Sequence, residues 1–556
     1  MIINNKAVTD MKAYSKFLIG CMAVLGMTAC SLDRLPDDPN TIMEFDQDAV
    51  FTKIYSTFAT TGQKGPDGDG DVDGVDEGTS SFYRMMWELN EFPTDEGWWI
   101  WGDPGVADLR IMAWNSSNSL VEGVYFRLYF DITLCNSFLA NTEGKTDEKT
   151  LQQRAEVRFI RALNKYYLLD LFGTVPNAVG ISVDNPMPIK RADLFAKLES
   201  ELLSLCDASN EEALPDKRLS LFRVDKVAAE LLLARMYLNA EVYTGTPRWD
   251  DAAEYAGKVM NSDYKLLTQG TGMYSAYQKL FMGNNDSNGA QDEAVMLIYQ
   301  DGEHTQSWGG SRFLVNATRD AGWLPFGSDD SWSCFRSSPE MIAMFTDITT
   351  AADIKKNEFD MPKELGDDRA IFCTYSDSNT TLVWELTGPM DAEFYSCWGI
   401  CKWTGVYSTA AQPALSVGHN NAFPDTDIPL MRVAEAYLTY AEAVYRGGKA
   451  TNGTAEDAIK ALRNRANNTT TFTLSEDFLL DEWGREFYCE GRRRSDLVRF
   501  GQFAGSKATR NWEGRGGAKS GVAAKSMDAK YNIFPLPYSD VTANENLAGI
   551  NEANGY

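Results

Sequence analysis

The chain has 556 residues, 44% of them apolar and 24% charged, with a formal net charge of -27. An apolar fraction of that size over that length builds a large core and excludes a disordered polymer. So acidic a surface repels phosphate backbones and excludes nucleic acid as a partner. The two histidines, His304 and His419, leave little room for a His-based triad or a His-rich zinc site.

Residues 1–29 read as a signal peptide. Lys6, Lys12 and Lys16 form the head, Phe17 to Gly26 is the apolar run, and small residues lead to Cys30. The run is too short for a stable transmembrane helix. Met27-Thr28-Ala29-Cys30 resembles a bacterial lipobox, with Met27 in place of the usual Leu and Met11 as an alternative start. Diacylation of Cys30 then tethers the chain through residues 30–42, where Ser31, Asp33, Asp37 and Asp38 resemble a signal for export to the cell surface. Acyl chains contribute about 0.8 kcal/mol per buried methylene, so two or three hold a folded body on a membrane without a spanning helix. The competing reading is an ordinary secretory signal with an incidental Cys at its end.

Residues 43–263 read as an N-terminal helical scaffold carrying a ligand loop at 62–118. Met43 to Thr60 has helical spacing, and Gly65 to Gly78 alternates Gly and Asp. Asp69, Asp71, Asp73 and Gly74 partly fit a calcium loop, but Ser80 stands where a bidentate Glu is needed, which favours an acidic turn. Trp98-Trp99-Ile100-Trp101 then sits between Gly97 and Gly102-Asp103-Pro104-Gly105, so it reads as a loop that exposes its indoles, with Asp76 and Arg84 as nearby polar groups. The alternative is that these rings fill the core.

From Ser119 the pattern is helical, in antiparallel pairs: Leu120 to Leu139, Asp147 to Phe172, 191 to 213, 224 to 243, and Trp249 to Ser262. Gly173 marks a helix stop. Ala252, Ala253 and Ala256 permit close helix approach, as in tetratricopeptide repeats. Residues 264–428 carry Gly, Ser, Asp and aromatics without a 3.6 period, including Trp308, Trp323, Trp332, Trp384, Trp398 and Trp403. Helical spacing returns at Met431 to Tyr445, Ala455 to Ala466 and Glu476 to Glu490, so residues 429–556 complete the scaffold. The seven cysteines after Cys30 are odd in number and scattered, which argues against a disulfide framework. The expected fold is mainly α: a tetratricopeptide-like helical-pair scaffold with an inserted, loop-rich, aromatic-rich lobe.

Several blocks together resemble the SusD/RagB family of surface glycan-binding lipoproteins. They are Arg154 to Leu163 running on to Asp170-Leu171-Phe172-Gly173, Arg432 to Leu438, Trp483 to Phe487, Glu490 to Gly501, and the closing Asn554-Gly555-Tyr556. Gly62 to Gly65, Pro93 to Glu96 and Pro424 to Leu430 are most similar to the starch-binding member. The resemblance implies an α-glucan site in which Trp99, Trp101, Trp308 and Trp332 form an aromatic arc with Asp76 and Arg84 as polar partners. It also implies a structural calcium at Asp286, Asp425 and Asp427, and a SusC-like TonB-dependent transporter in the outer membrane as partner. Trp308 departs from a Tyr in that member, and Pro104 departs from an Asn that bonds sugar hydroxyls.

The physics suits such a site, because the axial C–H face of glucose matches the negative face of an indole. The expected role is non-catalytic capture of starch or maltooligosaccharides, with another glycan such as a fructan or hemicellulose as the alternative. A glycoside hydrolase needs two placed carboxylates, and pairs occur by chance among 79 acidic residues, so their presence decides nothing. A helical-repeat scaffold that binds only protein is the remaining rival.

Overall fold

The computed structural model describes residues 45–319, 326–347, 358–374, 386, 391–394, 396–410, 418–518 and 526–556. The signal segment, Cys30 with its tether, Trp323 and Trp384 lie outside the described residues.

Several helices begin where apolar spacing and capping chemistry coincide. α1 spans Gln47–Ser56, α2 Phe82–Glu91, α3 Ser119–Asn141, α4 Glu148–Leu171, α5 Arg191–Cys206, α6 Lys226–Leu238 and α7 Trp249–Met260. Within the loop-rich region lies α8, Ser311–Thr318, and after it come α9 Val433–Tyr445, α10 Ala455–Arg465, α11 Glu476–Phe487 and α12 Arg493–Arg499. Asn118, Asp147, Asp225 and Ser475 cap α3, α4, α6 and α11 by accepting backbone N–H groups, and Thr454 with Asp457 forms a capping box on α10.

α3 packs on α4, α4 on α5, α5 on α6, α6 on α7, and α7 on α9, so the stack resumes across the lobe that interrupts it in sequence. Ala252, Ala253 and Ala256 of α7 are fully buried in that stack, where small side chains let backbones come close. Among the described residues no helix is long and apolar enough to cross a membrane.

Some expected boundaries shift for local reasons. The helix expected over 224–243 breaks at Asn239, whose side chain donates to Arg235 O and competes with the next helical turn. The one expected over 191–213 ends at Cys206, where Asp207 leaves helical backbone and its carboxylate binds Ser209 N–H. The segment from Met431 begins as a strand.

Four short strands matter. β1 spans Gly97–Trp99, β2 Ala294–Ile298, β3 Phe335–Ser337 and β4 Ile428–Arg432. β2 pairs antiparallel with β4, and β1 with β3, opposing Trp98 to Arg336 and Trp99 to Phe335. The lobe is thus stitched into the scaffold at both places, and Asp48–Tyr556 form one compact unit. The junction is ionic: Arg432 binds Glu293, Glu486 and Glu490, Arg369 binds Asp367, Glu482 and Glu486, and Arg465 binds Glu293 and Glu486, all buried but the half-buried Glu490. Burial would raise the Glu486 carboxyl, but three guanidiniums hold it down to about 2. The seven cysteines are free thiols, six of them buried.

Candidate functional site

The site starts from how the segment before β1 is fastened. Glu91 accepts backbone N–H groups of Gly491 (2.6 Å) and Arg492 (3.2 Å), and Glu96 accepts that of Cys489 (2.8 Å). Arg493 binds both Asp95 oxygens at 2.7 and 2.9 Å, and Arg510 adds a third contact at 2.7 Å. Burial opposes ionisation of Asp95, yet the two guanidiniums outweigh it and hold its carboxyl at about 2. Burial pushes the Glu96 carboxyl the other way, up to about 7. The Glu490-to-Gly501 block is therefore the clamp on the chain that leads into the indoles.

That chain is not the open loop its Gly and Pro flanks imply. β1 takes strand geometry because β3 offers it a ladder, and both faces of β1 meet core. Trp98 is buried and Trp99 is 0% exposed. Trp99 packs at 5.0 Å from Phe92 and 5.9 Å from Phe313, and its indole N–H donates to Asp103 at 2.9 Å. As a ligand-stacking ring Trp99 is thereby corrected to a core ring. Arg84 is likewise 7% exposed, donating to Glu88 at 2.8 Å with its guanidinium 4.8 Å from the Phe313 ring. It braces the layer behind the surface with its Nε on Glu88, while its Nη groups meet no acceptor among the described residues.

Three of the expected rings do assemble at the surface. Trp101 lies 5.7 Å from Trp332 at an interplanar angle of 39°. Trp332 is aimed by a tight turn in which its own N–H and that of Ser333, at φ 50°, both donate to Asn316 O. Arg312 of α8 comes next, its guanidinium 5.8 Å from Trp332, 4.8 Å from Trp308 and 5.6 Å from Phe423. Trp308 is 37% exposed and lies 5.2 Å from Phe423. The result is a row, Trp101, Trp332, Arg312, Trp308 and Phe423, with Trp99 and Phe313 as its backing. Trp398 and Trp403 of the same lobe are core.

Asp76 is exposed, in the turn that reaches Trp308. Contact there is so close that a Cβ on Gly78 would meet Trp308 Cβ at 2.5 Å, and one on Gly309 would meet Gly78 O at 2.1 Å. Ser81 adds a hydrogen bond to Gly309 O at 2.8 Å. Asp71, considered above for a calcium loop, pairs instead with Lys53 at 2.6 Å and Arg127 at 3.6 Å.

The implied calcium finds its residues in one neighbourhood. The buried Asp427 carboxyl is pushed well above its usual range by burial and by repulsion from Asp286, Asp425 and Asp301, the situation a divalent cation relieves. Convergence is lacking, however. Among the described residues no three His, Cys, Asp or Glu side chains are grouped to hold a metal ion. Asp425 already accepts Gly302 N–H, Asp427 accepts Gln300 N–H, and Asp286 is exposed.

The row lies at the surface, with Trp308 exposed and Trp101 and Trp332 half-buried. A cavity of about 890 Å³ lies elsewhere, with Lys217, Glu230, Glu254 and Lys258 among its walls, and it includes none of the row's residues.

Comparison with known proteins now bears on the geometry. The chain is 41% identical to the starch-binding protein SusD of Bacteroides thetaiotaomicron over 565 aligned positions, covering 96% of this chain and 97% of that one. It belongs to the SusD family. The family profile itself matches residues 388–556, the part that holds the clamp. Solved SusD-like folds superpose on most of the chain. Surface glycan-binding protein A from Bacteroides thetaiotaomicron, in complex with laminarihexaose, matches with a TM-score of 0.62 and 16% identity over 91% of this chain and 98% of that one. A SusD-like carbohydrate-binding protein from Bacteroides fragilis gives 0.63 and 18% over 90% and 98%. At such identity these two show the shared fold alone.

Arg312, Phe423 and Asp329, which pairs with Arg312 at 2.8 Å, escaped the sequence reading. They lie in the aperiodic lobe and on segments that meet the indoles only after folding. A tryptophan-rich lobe was the one signal pointing to them.

Proposed function

We propose that this SusD-family protein binds starch-type α-glucan at the cell surface without cleaving it and presents it to a TonB-dependent transporter in the outer membrane. The carrying observation is the solvent-facing row of Trp101, Trp332 and Trp308, whose tilted rings offer successive faces to a curved chain of glucose units. Sequence likeness to a protein named for starch binding supports the choice of glycan. Burying about 60 Å² of sugar C–H surface per ring at about 25 cal/mol/Å² gives roughly 1.5 kcal/mol per stack before ordering costs. Two or three such stacks make a weak site suited to capture and release. Lipidation at Cys30 holds the body on the outer membrane in this reading, and a structural calcium at Asp286, Asp425 and Asp427 would require these neighbouring carboxylates to draw together around it.

Affinity electrophoresis of the pure protein against starch, pullulan, dextran, inulin and xylan tests the proposal. Retardation by starch and pullulan is expected. Retardation by inulin or xylan alone overturns the choice of glycan, and release of reducing sugar from amylose overturns the non-catalytic role.

A further inference from the structure

A sugar site needs a face for the ring and polar atoms that orient its hydroxyls. The row supplies the face. Arg84 is largely buried with its Nε on Glu88, and Pro104 has no side-chain donor or acceptor, so the row has room for a further orienting group. In addition to Asp76, a second carboxylate stands at the row. Asp329 keeps its side chain 48% exposed while its Oδ1 accepts a hydrogen bond from Arg312 Nη1 at 2.8 Å. Because that guanidinium lies 4.8 and 5.8 Å from the Trp308 and Trp332 centroids, the carboxylate is one hydrogen bond from a group that both rings face.

Both partners are held. The Asp329 N–H donates to Asn421 O at 2.9 Å, and Arg312, its side chain 6% exposed, also donates to Ala422 O. The segment 421–423 thus ties down the carboxylate, the guanidinium and Phe423 together. Asp329 Oδ2 meets no hydrogen-bond donor among the described residues.

Resting on the α-glucan reading above, we propose that Asp329, oriented by Arg312, is a glycan-contacting residue whose free carboxylate oxygen accepts hydroxyls of a sugar ring lying on Trp308 or Trp332. Arg312 is a positioning residue that sets the carboxylate and the spacing of the two indoles at once. A carboxylate accepts hydrogen bonds and its charge is balanced by Arg312, so the site suits neutral polyhydroxylated chains. The net charge of -27 disfavours anionic chains over the surface as a whole.

Calorimetric titration of the full chain with maltoheptaose tests the assignment. Asp329→Ala weakens binding roughly tenfold, the effect of one hydrogen bond to a charged group, while the melting temperature falls by no more than about 5 °C, because Asp329 is half-exposed and the guanidinium it leaves keeps its bond to Ala422 O. Asp329→Asn loses less, because its amide oxygen still accepts. Arg312→Met weakens binding at least as much and shifts the tryptophan fluorescence, and in that background Asp329→Ala adds less than about twofold, a coupling that independent residues do not show. Should Arg312→Met fail to fold, the two Asp329 variants, which remove no buried group, decide the matter. Unchanged maltoheptaose affinity in Asp329→Ala, beside a loss in Trp332→Ala, overturns this assignment and leaves the α-glucan reading intact. A wild-type chain that binds no maltooligosaccharide overturns that reading instead.

Discussion

Trp99 and Trp101 differ by two positions in sequence and by their side of the surface, so their alanine variants fail in different assays. Trp99 is sealed among Phe92, Phe313 and Trp101, and its indole N–H is spent on Asp103. Truncating a buried Trp costs about 3–5 kcal/mol through lost transfer energy and the cavity left behind. Over roughly 500 folded residues, at about 2.1 cal/mol/K each, the unfolding entropy near the midpoint is about 1 kcal/mol/K, so Trp99→Ala lowers the melting temperature by about 3–5 °C. Trp101 is half-buried at the lip of the row, with Trp332 at 5.7 Å. Losing one sugar stack of roughly 1.5 kcal/mol weakens maltoheptaose binding about tenfold, with a melting shift near 1 °C. Scanning calorimetry and titration calorimetry on the two variants separate the effects. A Trp99→Ala chain that melts like wild type yet binds no glucan refutes the division into backing and face, as does a Trp101→Ala chain that loses stability and keeps full affinity.

Three further outcomes follow from the same geometry. Gly309→Ala drives a methyl group into the Gly78 carbonyl, so it displaces Trp308 and weakens glucan binding more than it lowers stability; equal binding in the variant removes that contact from the site. Burial raises the Asp131 carboxyl from 3.8 to about 7, and a raised acid is most favoured in the fold below its unfolded value and loses that advantage as pH climbs through 7. The change corresponds to at most roughly 4 kcal/mol, so the wild-type melting temperature falls between pH 5 and pH 8, and Asp131→Asn flattens the curve; an unchanged slope rejects the assignment. Calcium at 100 times its dissociation constant raises stability by about 2.7 kcal/mol if the folded chain alone binds it. Asp427→Asn abolishes that gain, whereas a gain that survives the substitution moves the ion away from Asp286, Asp425 and Asp427.

The scaffold was legible because its determinants are local. In α4 the cap Asp147, the apolar face through Val157, Ile160, Leu163 and Leu171, and the stop at Gly173, φ 76°, all lie within one continuous stretch. β1 was not legible, because its ladder partner Phe335–Ser337 lies far along the chain, and Gly97 and Gly102 speak only for local freedom. Burial of Trp99 and Arg84 likewise depends on Phe313, a residue of α8 that no periodicity announced. Met431 and Arg432 end β4 instead of opening α9, because Met431 and Val433 suit either period over so short a run.

The same contrast explains why family and ligand are written in different parts of this chain. Arg492 binds Asp496 and Glu435, Arg493 binds Asp95, Arg494 binds Asp170, and Arg499 binds Glu442. Tyr556 closes the chain with its hydroxyl on Trp114, Lys530 and Ile533. None of these side chains is part of the row; they fix the backbone from which it is built. Breaking one buried pair leaves an uncompensated charge and costs about 3–5 kcal/mol, so such positions tolerate little change whatever the glycan. The rings and Asp329 sit on loops from separate segments, where a substitution at Trp308 or Pro104 alters the surface without touching the ion pairs of the clamp. A signature that reports the clamp therefore identifies the frame, and the choice of sugar has to be read from the few residues that the clamp holds in place.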